Sequence, residues 1–241
     1  MKKLGIIGGY SYKSTIYYYE KIVYALRGQC DITIRSIDYT IFDRHTEAND
    51  LNGLRMFLQE AVNDLLMVGC EIIAIACNTA HIVKEKLEFG KAVFVDIVSA
   101  MANYLAKEGI RSALIFGTTL TVTVNFMKND FDKKGIELIS ADDNPHFATL
   151  DAILCDYCAS PGMAPHTTLA NDAIIPIFNM LERHKVDAFI FGCTELPLLC
   201  DGRQFEKKFN SHYVSSCDVH IESIITAMRA LGHPVTDDNE A

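Results

Sequence analysis

The sequence predicts an α/β fold with two similar domains, each built on a mainly parallel sheet, related by pseudo-two-fold symmetry and with the active site in the cleft between them. Short β-branched runs alternate with amphipathic stretches of helical length, which is typical of parallel strands joined by helices. Two strand ends in different halves of the chain also resemble each other. With 241 residues and 49% hydrophobic composition, the chain can bury a core in each of two compact domains.

Strands and helices are predicted to alternate along most of the chain. Strands are predicted at residues 4–8, 32–37, 72–76, 93–97, 113–116, 136–139, 188–191 and 213–215. Helices are predicted at residues 14–26, 50–68, 80–88, 99–107, 121–134, 145–158, 167–184 and 219–231. The helix at 50–68 shows the logic, because its apolar residues recur at steps of three and four and Gly69 ends it. Residues 39–49 and 159–166 are expected to form loops that close over the cleft.

The two halves of the chain look like copies of one unit. An apolar strand stops at Cys77 in the first half, and a similar strand stops at Cys193 in the second, each with a threonine within the next two positions. The strands predicted at residues 4–8 and 113–116 form a second similar pair, because glycine and hydroxyl-bearing residues follow each of them. We therefore expect one domain at residues 1–107 and another at 108–218, with the helix at about 219–231 joined to the first.

Composition limits the partners and the compartment. Asp plus Glu is 31 against 22 for Lys plus Arg, a formal charge of −9, which argues against nucleic acid or an anionic membrane as a partner and leaves a small-molecule substrate. No apolar run reaches the roughly 18 residues that a membrane span needs, and the N-terminus lacks a signal-peptide pattern. The eight cysteines lie in apolar contexts, so reduced thiols in the cytoplasm are expected.

Candidate site residues lie at the strand ends, because open parallel sheets bind ligands beyond the carboxyl ends of their strands. Four strand ends are candidates: 8–11, 77–79, Thr118 with Thr119, and 193–194. If the two units face each other, Cys77 and Cys193 meet across the cleft. A thiolate removes a proton from one face of a carbon centre while a thiol returns one to the other face, which inverts the centre. Backbone N–H groups at the following helix starts, together with the side chains of Asn78, Thr79 and Thr194, suit a carboxylate.

Other motifs give weaker predictions. The CxxC spacing of Cys155 and Cys158 falls inside a predicted helix, so a structural role is preferred to a redox role. A zinc site at Cys77 and His81 lacks third and fourth ligands at short spacing, so no metal is predicted and His81 is expected to cap or line the pocket. The glycines at residues 5–9 do not follow the GxGxxG order of dinucleotide-binding proteins. The remaining cysteines are interpreted as packing residues: Cys30, Cys70, Cys200 and Cys217.

Three motifs together resemble the aspartate/glutamate racemase family, and most closely its aspartate racemases. They are Gly8-Gly9-Tyr10-Ser11, Ala76-Cys77-Asn78-Thr79-Ala80-His81 and Gly192-Cys193-Thr194-Glu195-Leu196-Pro197. The resemblance spans nearly the whole chain in the family's order. It implies a racemase that needs no cofactor, has two similar α/β domains and forms a homodimer. It also implies that Cys77 and Cys193 are the proton donor and acceptor.

The resemblance also implies substrate contacts. Asn78 and Thr79 follow the first cysteine, where the family binds substrate, and Tyr10 and Ser11 lie in the loop that touches it. Arg44 matches the arginine that holds the side-chain carboxylate. Aspartate racemases usually carry a lysine for that carboxylate in the stretch that matches residues 158–162, where this chain has none. The resemblance therefore implies the reaction type and leaves the substrate open between aspartate, glutamate and other small amino acids.

Two alternatives remain at this stage. One is another carbanion enzyme of the same superfamily, such as a hydantoin racemase or a maleate isomerase, since both cysteines are present and an arylmalonate decarboxylase keeps one. The other is a two-lobed domain that binds a carboxylate without catalysis. Turnover of amino acids with chiral product analysis separates these possibilities.

Overall fold

The computed structural model describes residues 2–123, 126–140, 147–159 and 185–231. The strands are β1 (Lys3–Gly8), β2 (Asp31–Ser36), β3 (Ile72–Ile75), β4 (Val93–Val95), β5 (Ser112–Phe116), β6 (Glu137–Ser140), β7 (Ala188–Phe191) and β8 (His212–Ser215). The helices are α1 (Tyr12–Ala25), α2 (Tyr39–Glu47), α3 (Leu51–Met67), α4 (Ile97–Lys107), α5 (Thr119–Thr123), α6 (Lys128–Asp132), α7 (Phe147–Ala159), α8 (Leu196–Leu199), α9 (Gly202–Phe209) and α10 (Ser216–Ala230). A 3₁₀ segment spans Thr79–Lys86.

The strands form two parallel four-stranded sheets with the same order. The first sheet runs β2-β1-β3-β4 and the second runs β6-β5-β7-β8. In both, the first strand of the half pairs with the second and third, as in the registers of Ile6 with Ala74 and of Leu114 with Phe189. The predicted α/β fold with parallel sheets is confirmed, and each predicted strand is present with its ends shifted by no more than two residues.

The two inner strands of each sheet are fully buried over most of their length, so their side chains form continuous apolar runs rather than alternating ones. Helix α10 packs its buried face on the first sheet, where Ile221 and Met228 join Leu4, Ile6 and Tyr18 in one cluster. The chain therefore returns from the second sheet to the first at its C-terminal helix. In the described part of the chain, no helix has the length and apolar character to cross a membrane.

Several predicted elements differ from the structure. Residues 39–47 form α2 rather than a loop, because the Asp38 carboxylate caps it by accepting a hydrogen bond from Thr40 N at 2.9 Å. The helix predicted at 80–88 is the 3₁₀ segment. The helix predicted at 121–134 is instead the separate short helices α5 and α6, and the β-branched residues around Thr121 explain the poor helix propensity there. The predicted helix at 167–184 and the loop at 160–166 lie outside the described residues.

Candidate active site

A cavity of about 330 Å³ is lined by the carboxyl ends of four strands, two from each sheet. These are β1 and β3 of the first sheet and β5 and β7 of the second, and helices α2 and α7 complete the described walls. The lining residues are Tyr10, Tyr39, Phe42, Asp43, Thr46, Glu47, Cys77, Asn78, Thr79, Thr118, Thr119, Leu120, Thr121, Asp151, Cys155, Cys158, Gly192, Cys193, Thr194 and Glu195. The cavity therefore lies where parallel sheets usually bind ligands.

Cys77 lies just beyond β3, at the start of the 3₁₀ segment. Burial raises the pKa of the Cys77 thiol strongly, and the charges of Glu195 and Cys193 raise it further. The backbone N–H groups of Ala80 and Thr79 act in the opposite direction, since they hydrogen-bond to the sulfur and favour its thiolate. The sulfur therefore has donors ready for a thiolate, while its surroundings keep it protonated.

His81 fixes the backbone of Cys77 from behind the cavity. Its Nδ1 lies 2.7 Å from the Cys77 carbonyl oxygen, and its Nε2 accepts from Ile97 N at 3.5 Å. Because Nε2 accepts, Nδ1 carries the proton and donates to the carbonyl. The ring is fully buried and does not line the cavity, which corrects the expectation that His81 caps or lines the pocket. Burial lowers the pKa of His81, so it stays neutral.

Cys193 lies at the matching position beyond β7. Gly192 before it is required by packing, because a Cβ there would lie 2.7 Å from Ile115 Cδ1 and 3.0 Å from the Phe116 carbonyl oxygen. The Cys193 thiol donates to Glu195 Oε2 at 3.1 Å. A hydrogen bond from the Cys158 thiol lowers the pKa of Cys193, but burial and the Glu195 charge leave the pKa raised.

The two thiols are electrostatically coupled. The charge of Cys193 raises the pKa of Cys77, so a thiolate at one position disfavours a thiolate at the other. A pair of this kind accepts one negative charge more readily than two. One thiolate opposite one thiol is the protonation state that inversion of a carbon centre requires.

Three threonine hydroxyls join the two halves beside the cysteines. Thr79 Oγ1 lies 3.2 Å from Thr118 Oγ1 and 3.0 Å from Thr121 Oγ1, and the last two are 3.1 Å apart. Thr79 follows β3 of the first sheet, while Thr118 and Thr121 follow β5 of the second. All three line the cavity, so they present hydroxyl groups to any carboxylate bound there.

The structure brings together eight of the ten residues that the sequence singled out. Those that line the cavity are Tyr10, Cys77, Asn78, Thr79, Thr118, Thr119, Cys193 and Thr194. Ser11 does not, because its buried side chain caps α1 and accepts from Lys13 N at 3.2 Å. Arg44 does not line it either, since it is exposed on α2 while Phe42 and Asp43 face the cavity. The side chains of Ser11 and Arg44 therefore lie outside the cavity lining, and their contact with substrate stays a prediction.

Sequence reasoning missed residues on α2 and α7 and after Cys193. Cys155 and Cys158, for which a structural role was preferred to a redox role, both line the cavity from α7. With Asp151 they follow steps of four and three, which places all three on one face of an otherwise apolar helix, and that spacing was visible in the sequence. Glu195 belongs to the third motif, and the sequence predicted no role for it. Within the described residues, no group of three or more His, Cys, Asp or Glu side chains is arranged to hold a metal ion.

The chain is similar to known proteins in both sequence and fold. The sequence profile of the Asp/Glu/Hydantoin racemase family matches residues 7–224. A crystal structure described as an Asp/Glu racemase from Yersinia pestis is 28% identical, with a TM-score of 0.78 over 96% of this chain and 100% of that one. An aspartate racemase homologue from Pyrococcus horikoshii is also 28% identical, with a TM-score of 0.75 over 95% of this chain and 100% of that one.

A more distant structure shows the same fold. Glutamate racemase from Francisella tularensis, solved with D-glutamate, is 16% identical, with a TM-score of 0.69 over 99% of this chain and 85% of that one. The family match covers most of the sequence, and the structural matches cover both sheets. The chain therefore belongs to the Asp/Glu/Hydantoin racemase family and is an isomerase of the racemase type.

Proposed function

We propose that the protein racemises an α-amino acid, without a cofactor, by two-base proton transfer between Cys77 and Cys193. The observation that carries the proposal is the placement of these two thiols. They lie at equivalent strand ends of two sheets with the same strand order, and both line one cavity of about 330 Å³. Hydrogen-bond donors near each sulfur lower its pKa and so favour the thiolate. Burial and the charge of Glu195 raise the pKa of each thiol and so favour the protonated form.

The proposed reaction has two proton transfers. The thiolate of one cysteine takes the α-proton from one face of the substrate, leaving the electron pair of the C–H bond on the α-carbon. The thiol of the other cysteine then donates its proton to the opposite face, so the centre is inverted and the two sulfurs have exchanged protonation states. The threonine hydroxyls at Thr79, Thr118 and Thr121 are placed to stabilise the charge that spreads onto the α-carboxylate.

Aspartate and glutamate are the first substrates proposed, because the neighbours at 28% identity are described by those names. The described cavity lining favours a broader screen. It includes the carboxylates of Asp43, Glu47, Asp151 and Glu195 but neither lysine nor arginine. An acidic side chain placed against those carboxylates would meet like charge, so amino acids with neutral and basic side chains belong in the same panel.

The test is racemisation of L- and D-amino acids, followed by chiral chromatography and by loss of the α-proton NMR signal in D₂O. We expect Cys77→Ser and Cys193→Ser each to lower racemisation by about 10²–10⁴-fold, the range for loss of a general acid or base. Cys200→Ser is the matched control, because Cys200 is buried outside the cavity and its thiol donates to Leu196 O at 3.5 Å. Racemisation that survives in both single variants would overturn the two-base proposal.

The homodimer and the cytoplasmic location stay predictions from the sequence. Sedimentation equilibrium of the purified protein tests the first, with twice the 26.9 kDa chain mass expected. Fractionation of the source cells tests the second.

A further inference from the structure

Three buried side-chain polar atoms lack a hydrogen-bond partner in the part of the chain that the structure describes. They are Tyr10 Oη, Asn78 Oδ1 and Glu195 Oε1, and all three residues line the cavity. Buried polar groups are nearly always paired, and leaving one unpaired costs about 1–3 kcal/mol. Because all three atoms belong to residues of one cavity, we expect a bound ligand to supply their missing hydrogen-bond partners. Two of the three atoms can only accept, so the ligand must bring N–H or O–H donors.

Glu195 is held in place for such a ligand. Its side chain is 3% exposed, and its Oε2 accepts from Cys193 Sγ at 3.1 Å and from Thr194 Oγ1 at 2.8 Å. Although Glu195 precedes α8 at the capping position, its side chain makes no capping hydrogen bond. The carboxylate is therefore turned toward the cysteine through Oε2, and Oε1 has no hydrogen-bond partner among the described residues.

The other carboxylates of the described lining are less suited to this role. Asp151 is already held by Thr119, through N at 2.8 Å and Oγ1 at 2.7 Å. Asp43 accepts from Tyr39 Oη at 3.4 Å, and Glu47 is exposed to solvent. Glu195 is the carboxylate in direct contact with a catalytic thiol.

The charge of Glu195 acts on both thiols. It raises the pKa of Cys193 and of Cys77, so in the empty cavity it opposes a thiolate at either position. A cation beside Oε1 would offset that charge. An α-amino acid carries such a cation on the carbon that reacts.

Resting on the proposed function, we infer that Glu195 receives the α-ammonium group of the substrate, with Asn78 Oδ1 as the second acceptor. The bound cation then permits a thiolate at Cys77 or Cys193 only while an amino acid is present. When the thiolate forms, its proton passes to bulk water, and the electron pair of the S–H bond stays on sulfur. Glu195 thus couples recognition of the amino group to activation of the base. An α-hydroxy acid of the same shape lacks the cation and would leave the thiols protonated.

The direct test is Glu195→Gln, which keeps the shape and removes the charge. The thiolate of Cys193 is followed by absorbance across a pH series, as the difference between each protein and its Cys193→Ser counterpart. We expect the Cys193 midpoint to fall by at least about one pH unit, because an adjacent like charge disfavours ionisation by that order. Glu47→Gln removes an exposed carboxylate from the same cavity and should leave the midpoint within a few tenths of a unit. A midpoint unchanged in Glu195→Gln would overturn the inference.

A second measurement needs no substitution, in case Glu195→Gln fails to fold. Methylammonium chloride, added to the wild-type protein, should lower the Cys193 midpoint relative to sodium chloride of equal ionic strength. Equal midpoints in the two salts would contradict an ammonium site at Glu195. Neither measurement depends on turnover, whereas α-proton exchange by the wild type reports on the proposed racemisation. The two proposals can therefore fail separately.

Discussion

Replacement of Cys158 tests whether the cavity tunes the reactivity of Cys193. The Cys158 thiol donates a hydrogen bond to the Cys193 sulfur, and this contact is the largest influence on the pKa of Cys193, which it lowers. Cys158→Ala removes the donor while leaving a small apolar group on α7. We therefore expect the Cys193 thiol to become harder to ionise.

The size of the effect follows from the type of bond lost. A hydrogen bond to a charged group contributes about 1.5–3 kcal/mol, and a thiol is a weak donor, so the lower end applies. At about 1.4 kcal/mol per pKa unit, the pKa of Cys193 should rise by about one unit. Below that pKa the thiolate fraction, and with it the alkylation rate of Cys193, should fall about tenfold.

The assay is alkylation by iodoacetamide over a pH series, with the Cys193 peptide quantified by mass spectrometry. Cys155→Ala is the matched control, because Cys155 lies one turn earlier on α7 in the same cavity but its thiol points to Asp151 Oδ1, 4.0 Å away. The control should leave the Cys193 rate nearly unchanged. An unchanged or faster rate in Cys158→Ala would refute the reasoning. Cys158→Ala is expected to raise the pKa of Cys193, whereas Glu195→Gln is expected to lower it. The two variants together therefore test both the donor and the charge that act on this thiol.

Three further predictions concern stability. Burial lowers the pKa of His220 to about 3. Below about pH 6.5 the unfolded chain therefore binds a proton at this histidine and the native state does not, so the free energy of unfolding should fall by up to about 1.4 kcal/mol per pH unit. Urea unfolding at several pH values should show a shallower acid slope in His220→Asn, and an identical slope would contradict this. Gly192→Ala should cost about 1–3 kcal/mol, because its Cβ would lie 2.7 Å from Ile115 Cδ1, and an unchanged thermal midpoint would argue against that packing. Lys84→Met removes the Nζ that bonds Asp96 at 2.5 Å and Asp130 at 2.9 Å. The free energy of unfolding should fall by about 3 kcal/mol, the lower end of the range for breaking a buried ion pair, because Asp96 keeps its bonds to Val98 N and Ser99 Oγ. A loss below the error of the urea fit would contradict this.

Much of the fold could be predicted because local pattern and tertiary environment agree. The strands of 72–76 and 188–191 are apolar throughout, as strands buried on both faces must be, and the structure places both at the centre of a sheet. The cysteine at each strand end could be recognised in the sequence because it directly follows such an apolar strand. The topological rule for parallel sheets then predicts that both sulfurs line one cavity, on the condition that the two units face each other.

The failures occur where position depends on a few side-chain contacts. Charged residues after Asp38 suggested a loop, whereas the Asp38 cap and buried Phe42 make α2 a wall of the cavity. Arg44 then points to solvent, since a change of one residue along a helix turns a side chain by about 100°. The role of Glu195 could not be deduced from spacing either, because it depends on which of its oxygens the neighbouring hydroxyl and thiol already occupy.

The placement of two opposed acid–base thiols is tested most directly by isotope partition. A racemised L-amino acid, identified in the substrate panel, is incubated with the enzyme in D₂O, and both enantiomers are isolated at low conversion. Two opposed thiols predict that the D-product carries deuterium at the α-carbon while the recovered L-substrate keeps its hydrogen, since each face is served by a different sulfur. Deuterium in the recovered substrate at the same level as in the product would show that a single base serves both faces, and would contradict the assignment of Cys77 and Cys193.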